Sequence, residues 1–334
     1  MVLSEFPMTR NIQNRLAIAA AYLRRRPELK AVPFEIQIGI TNRCNLACEF
    51  CPHRLSTRPQ GDISPDLLDH LLSQVAPYVD TVDLSFDGEP FLHPRWPECV
   101  EACRSHRILA MLETNATLLD ESLAREVLKA GVGSITFSID AARAETFEKL
   151  KPGGDYEQVV ENVERFLRLA RNHPERPYIQ IQFVKTPGNA HEAADFVRRW
   201  KGKGADAVHV KPMLNFGGSV GPPPSRPARL PCLFLWSSLS IQWDGTVPLC
   251  CLEIEGRTDM ADASRTPIRD IVDNQAFQEI RELHASGRYR EHPVCRNCTV
   301  PSVSWPFVVG SVFVGDLSRR KLINQVERFV PLGG

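Results

Sequence analysis

The sequence predicts an α/β protein, a partial (β/α)6 barrel followed by a small C-terminal β-hairpin and helix domain. Three observations predict it. Six short apolar stretches between residues 34 and 210 alternate with five amphipathic ones. That alternation implies parallel strands joined by right-handed helical crossovers. Two further units, which a full eightfold barrel would need, are missing. After residue 216 the pattern changes: the Gly/Pro-rich stretch 217–231 cannot form regular structure, and cysteines follow it.

The elements follow in order. Residues 10–30 read as an amphipathic helix, with Ile12, Leu16, Ala19, Ala20 and Leu23 on one side. Phe34, Ile36, Ile38 and Ile40 alternate with the period of a strand. Ser64-Pro65 caps a helix bearing Leu67, Leu68, Leu71, Leu72 and Val75. Strand 81–86, helix 97–105 and strand 108–113 come next. A helix over 120–130 ends at Gly131, and strand 134–139 follows. Asp155 with Gln158 opens a helix carrying Val159, Val160, Val163, Phe166 and Leu167, before strand 178–184. Asn189 with Glu192 opens a helix that runs to Trp200, and 207–210 is the sixth strand. Further on, 239–243, Asp244-Gly245 and 246–249 read as a two-residue hairpin. Helices are expected over 274–286 and 316–329. The chain thus divides into an N-terminal helical extension (1–33), the barrel (34–216), a linker (217–231), a cysteine-bearing domain (232–304) and a C-terminal extension (305–334).

Composition narrows the function classes. The chain has 334 residues, 43% hydrophobic and 24% charged, with a formal net charge of zero. A neutral chain lacks the bulk charge that holds nucleic acid. It has no apolar run of the roughly 18 residues that a membrane span needs. Residues 1–10 lack an apolar signal core, so a cytoplasmic location is expected. In that setting cysteines read as metal ligands or thiols rather than disulfides.

The ten cysteines fall into groups. Cys44, Cys48 and Cys51 have the spacing C-x3-C-x2-C, directly after the first strand. Three thiolates can hold three irons of a cubane and leave the fourth open to bind a small molecule. The spacing differs from zinc-ribbon pairs and from ferredoxin runs, although a zinc loop with a ligand from elsewhere would share it. Asp87-Gly88-Glu89-Pro90 ends the second strand. There a glycine permits close backbone approach, and a carboxylate suits an ammonium group. Thr114-Asn115-Ala116-Thr117-Leu118-Leu119 and Ser138-Ile139-Asp140 end the third and fourth strands.

Taken in this order, the four motifs resemble the radical SAM superfamily over about residues 34–211. The resemblance implies a TIM-like partial barrel, a 4Fe–4S cluster on Cys44, Cys48 and Cys51, and S-adenosylmethionine on the open iron. It implies that Gly88 and Glu89 meet the cosubstrate's amino group, with Asp87 standing where the family motif has its first glycine. Asn115, Ser138 and Asp140 would face its ribose and methionine portions, and Phe50 its adenine. His53 would be a supporting donor beside the cluster. The implied chemistry is reductive cleavage to methionine and a 5′-deoxyadenosyl radical, fed by an external one-electron donor of flavodoxin or ferredoxin type.

Cys232-x12-Gly245-x4-Cys250 with Cys295-x2-Cys298 resembles the twitch form of the SPASM domain, which implies a second, auxiliary 4Fe–4S cluster on these four cysteines. A structural zinc would use the same ligands. Cys251 reads either as a small buried apolar residue or as a hydrogen-atom donor. Cys99 and Cys103 read as core residues. The preferred reaction is oxidation of a carbinol in a small polyhydroxylated sugar or aminocyclitol, of the kind met in aminoglycoside antibiotic pathways, with the auxiliary cluster as electron acceptor. The alternatives are a radical epimerase with Cys251 as donor, a peptide maturase, and a catalytically inactive scaffold for clusters or zinc.

Overall fold

The computed structural model describes residues 12–222 and 230–300. The expected helix over 316–329 and the C-terminal extension over 305–334 lie outside these residues. The first described helix is α1 (Ile12–Leu23). The barrel units follow: β1 (Glu35–Ile38), α2 (Pro65–Val75), β2 (Thr81–Asp83), α3 (Trp96–Ser105), β3 (Leu109–Thr114), α4 (Glu121–Ala130), β4 (Ser134–Ser138), α5 (Ala144–Leu150), α6 (Tyr156–Ala170), β5 (Tyr178–Lys185), α7 (Ala193–Trp200) and β6 (Ala207–Pro212). The C-terminal part contributes α8 (Phe234–Ser237), β7 (Ser238–Ile241), β8 (Thr246–Pro248), β9 (Asp259–Asp262), α9 (Ile268–Val272) and α10 (Gln275–Ala285).

Seven strands form one parallel sheet in the order β6-β5-β4-β3-β2-β1-β7. The seventh strand modifies the sequence reading. The Asp244-Gly245 turn forms, with the Gln242 amide donating to Thr246 O at 2.8 Å. Its first arm, however, joins the barrel sheet beside β1 in the register Glu35↔Ser238 to Ile38↔Ile241. Its second arm, β8, pairs antiparallel with β9 instead. The cause is the alternation Ser238, Leu239, Ser240, Ile241, which buries both apolar side chains while Ser240 Oγ donates to Gln37 Oε1 at 3.3 Å.

Side chains alternate faces along a strand, and this places the site. Ile36 and Ile38, Ala110 and Leu112, Ile135 and Phe137, and Ile179 and Ile181 are buried core residues. Phe137 meets Phe166 of α6 edge-on at 5.2 Å, and Phe183 meets Phe196 of α7 at 4.9 Å. The alternate set, Gln37, Glu113, Ser138 and Gln182, lines a cavity on the other side. Helix starts follow the expected capping: Ser64, Asp120 and Asp155 accept from the backbone N–H three residues on.

Two local expectations need correction. On α1 the buried residues are Asn14, Arg15, Ile18, Ala21 and Tyr22, while Ile12, Leu16 and Leu23 are at least 40% exposed. A buried pair, Arg15 with Asp80 at 3.3 Å, goes with a rotation of the helix that turns Asn14 and Arg15 inward beside Ile18, Ala21 and Tyr22. Asn189 does not cap α7. Its side chain donates to Asp140 O at 2.7 Å and Val184 O at 2.9 Å, joining two strand ends.

Candidate active site and cysteine cavities

Cys44, Cys48 and Cys51 line one cavity together with Phe50, Gly88, Glu89, Asn115 and Ser138. The loop that carries the cysteines is pinned from several sides. Asn42 Oδ1 accepts from Gly61 N at 2.9 Å. Ala47 N donates to Pro152 O at 3.2 Å, and Glu49 N to Leu150 O at 2.9 Å. The His53 ring lies 2.7 Å from Asn42 O, so it braces this loop.

Gly88 has a reason other than the one expected. A Cβ there would collide with Thr41 O and lie 2.7 Å from Arg43 O. The backbone that approaches is thus the cysteine loop's own, and Glu89 N fixes it by donating to Arg43 O at 2.8 Å. Glu89 is 2% exposed. Its carboxylate accepts from Thr114 Oγ1 at 2.7 Å and Asn115 N at 2.8 Å. Burial pushes its pKa up to about 7, against these hydrogen bonds. Asn115 Nδ2 reaches back to Asn45 Oδ1 at 3.0 Å, so the third strand end is also tied to the cysteine loop.

Asp140, expected at the cosubstrate, is fully buried and lies outside the cavity lining. Its carboxylate accepts from Val184 N at 2.6 Å and Ser138 Oγ at 2.7 Å, and it pairs with Lys151 Nζ at 2.7 Å. The residue that takes its place on the wall is Lys151, which also donates to Ser138 O. Lys151 is 2% exposed, and its positive charge opposes the rise in thiol pKa at Cys44 and Cys48. The sequence reading missed it because Lys151-Pro152-Gly153-Gly154 looks like an ordinary solvated turn. Its signal is positional: it follows α5 directly, where the chain returns beneath the cysteine loop.

The donor set fits an iron–sulfur cluster. Burial pushes the free Cys44 thiol up to about 11 and Cys51 to about 12, while the amides of Leu46 and His53 point at their sulfurs and oppose the shift. Such N–H···S contacts favour thiolates that are held by metal. The C-terminal set has the same character. Cys232, Cys250, Cys295 and Cys298 line a second cavity. Amides of Phe234 and Leu235 meet Cys232, that of Leu252 meets Cys250, and those of Val300 and Gly217 meet Cys298. Among the described residues, no three His, Cys, Asp or Glu side chains are grouped to hold a single metal ion; each cysteine set lines a cavity instead.

One short segment joins the two cavities. After β6, Phe216 lines the first cavity and Gly217 the second. Asn215, 1% exposed, clamps this segment to the C-terminal cysteine loop. Its Oδ1 accepts from Thr299 N at 2.9 Å, and its Nδ2 donates to Asn297 O at 2.5 Å. Cys251 stays close to the second cysteine set, for its thiol and those of Cys250, Cys232 and Cys298 influence one another's charge. It also lines a third cavity with Glu35, Asp83 and Met111, and that cavity shares Gln37 and Glu113 with the first. Burial pushes its thiol up to about 12, so it holds its proton. Cys99 and Cys103 are buried in the core.

Comparison with known proteins identifies the class. Residues 38–173 match the radical SAM superfamily, and residues 232–299 match the SPASM iron–sulfur cluster-binding domain. The chain therefore carries a radical SAM domain followed by a SPASM-type domain, and these imply 4Fe–4S clusters and S-adenosylmethionine. It is 27% identical over 185 residues to the tungsten-containing aldehyde ferredoxin oxidoreductase cofactor-modifying protein of Pyrococcus furiosus, covering 54% of this chain and 51% of that protein. It is 30% identical over 174 residues to the AdoMet-dependent heme synthase of Methanosarcina barkeri, covering 51% of this chain and 48% of that one. The chain thus spans about half the length of these relatives. Among solved structures it is similar to BtrN in complex with AdoMet and 2-DOIA, with a TM-score of 0.57, 18% identity and coverage of 80% of this chain and 93% of that one. It is also similar to SuiB of Streptococcus suis bound to the precursor peptide SuiA, with a TM-score of 0.62, 15% identity and coverage of 84% and 72%. At these identities the structural likeness speaks to the fold. No helix among the described residues is long and apolar enough to cross a membrane.

Proposed function

We propose that this protein is a radical enzyme that oxidises a carbinol carbon of a small polyhydroxylated molecule bound inside the barrel. Cys44, Cys48 and Cys51 would hold the first cluster, and Cys232, Cys250, Cys295 and Cys298 the second. When bound, the first cluster with S-adenosylmethionine would supply a carbon radical that removes hydrogen from an unactivated C–H bond, and the second a sink for one electron, while the hydroxyl proton leaves to water in the chamber. The chain's own residues do the rest. Glu89 offers a buried carboxylate to the cosubstrate's ammonium group, and Lys151 offers a cation to its carboxylate. Gln37, Ser138 and Gln182 offer hydrogen bonds to hydroxyl groups. One observation supports oxidation above the rest: Phe216 lines the first cysteine cavity and its neighbour Gly217 the second, so one peptide segment borders both. In this reading the barrel spans 34–216 and the cluster domain 232–304, with β7 of the latter completing the barrel sheet.

The test is metal content and cosubstrate cleavage after anaerobic reconstitution. About eight irons per chain are expected, with zinc absent. Cys44→Ala should load about four and form no 5′-deoxyadenosine. Full cleavage in that variant, or one zinc per chain, would overturn the assignment. A second reading has its own observation. Cys251 lines the cavity that continues from the first and holds its proton, as a hydrogen-atom donor must, so epimerisation is the runner-up. The SuiB likeness keeps a peptide substrate as the remaining outcome of a substrate screen.

A further inference from the structure

Two charged side chains on the inner wall take part in nothing described above. Glu113 lies near the end of β3 and Lys211 near the end of β6, and both line the cavity that carries the first three cysteines. Among the described residues, neither side chain makes a hydrogen bond or ion pair. Opposite charges that share a partly buried cavity ordinarily pair, since each loses water there. Here the sheet holds them apart. β4 and β5 lie between β3 and β6, a separation of about 14 Å along the sheet at ordinary strand spacing. Ser138 and Gln182 on those middle strands line the same cavity between them, and Gln37 does so from β1. The wall thus offers a carboxylate, then neutral hydrogen-bonding groups, then an ammonium group.

These charges are separate from those near the cysteine loop. Lys151 is paired with Asp140 just past the end of β4, whereas Lys211 stands on β6 with no such partner among the described residues. Glu113 also lines the third cavity, together with Cys251. We infer that the chamber takes a zwitterionic small molecule, with its ammonium group on Glu113, its phosphate or carboxylate on Lys211, and its hydroxyl groups on Gln37, Ser138 and Gln182 between them. The inference rests on the radical-enzyme reading of this cavity and narrows its substrate to amino-bearing, anionic molecules.

Four probes share one pyranose skeleton and differ in charge: glucosamine 6-phosphate, 2-amino-2-deoxyglucuronate, glucosamine and glucose 6-phosphate. Each is titrated calorimetrically, without oxygen, into the reconstituted full chain with S-adenosylmethionine bound. At least one of the two zwitterions should bind ten or more times tighter than glucosamine and glucose 6-phosphate, since each charge-assisted contact adds separately. The tighter zwitterion identifies the anion. Glu113→Gln should remove the advantage of the zwitterion over glucose 6-phosphate, and Lys211→Met its advantage over glucosamine. Lys211→Arg keeps the charge and should keep the preference, which separates lost recognition from lost folding. Equal affinities for all four probes, or a preference unchanged in both neutral variants, would overturn the inference. S-adenosylmethionine cleavage is assayed on the same preparation. Cleavage without charge preference removes this inference alone, and preference without cleavage removes the radical-enzyme reading alone.

Discussion

Asp87 stands where the resembled motif has a glycine, and the structure shows what the change does. Its side chain is 7% exposed, its Oδ1 has no hydrogen-bond partner, and a Cβ on Gly39 would lie 3.4 Å from that oxygen. Burial lifts the carboxyl from its ordinary 3.8 to about 7, with Gln242 and Arg58 opposing the shift. The folded chain therefore holds a proton here that the unfolded chain has already released between those two values. Stability from this group is full below pH 3.8 and is lost as pH rises to about 7. Asp87→Asn removes that loss. In urea unfolding of the metal-free chain, the variant should gain on the parent as pH rises from 5 to 8, by on the order of 2–4 kcal/mol at the upper end. A difference that does not vary with pH would show that Asp87 does not titrate in this range. The sequence exposed the position, because a motif makes a departure visible. It could not expose Lys151 or Asn215, whose roles depend on which loops meet them.

At the scale of elements, the alternation of Ile36 and Ile38 with Glu35 and Gln37 already specified both a core face and a polar face, so the six barrel strands could be read from periodicity. Two elements could not. On α1 the expected residues Ile12, Leu16 and Leu23 face out while Arg15, paired with Asp80, is buried beside Ile18 and Tyr22. The strand Ser238–Ile241 carries a hairpin pattern, and only tertiary pairing with β1 assigns it to the barrel. The packing of motif against motif was equally hidden. Gly88 is a glycine because the cysteine loop passes over it, which predicts a specific failure. In Gly88→Ala the added methyl must push the backbone of residues 41–43 away, just before Cys44. After reconstitution, iron should fall from about eight to about four per chain, with the C-terminal site still filled. Full iron in that variant would mean that the loop has room to yield.

At the scale of the whole molecule, two cysteine cavities sit against one polar barrel interior, and Cys251 stands where the C-terminal part meets it. Residue spacing separated the two cysteine sets but left open which way the second thiol of Cys250-Cys251 pointed. With β7 paired to β1 in the barrel sheet, Cys251 comes to line a cavity with Glu35 of β1 and Met111 of β3 while staying beside Cys232 and Cys298. Oxidation and epimerisation now differ in an observable. With substrate in D2O, the Cys251 thiol exchanges to S–D. If it donates to a substrate radical, the product keeps its hydrogen count and carries one deuterium at the inverted carbon. In Cys251→Ala that product should disappear while 5′-deoxyadenosine still forms. If the enzyme oxidises, the product instead lacks two hydrogens and its reacting carbon is a carbonyl that carries no deuterium, and Cys251→Ala should change turnover by less than about threefold, because a lining thiol that takes no part contributes only packing. Mass spectrometry of one D2O reaction on each protein, after back-exchange in H2O, separates the two, and the preferred reading falls if the product keeps its hydrogen count and carries deuterium at the reacting carbon.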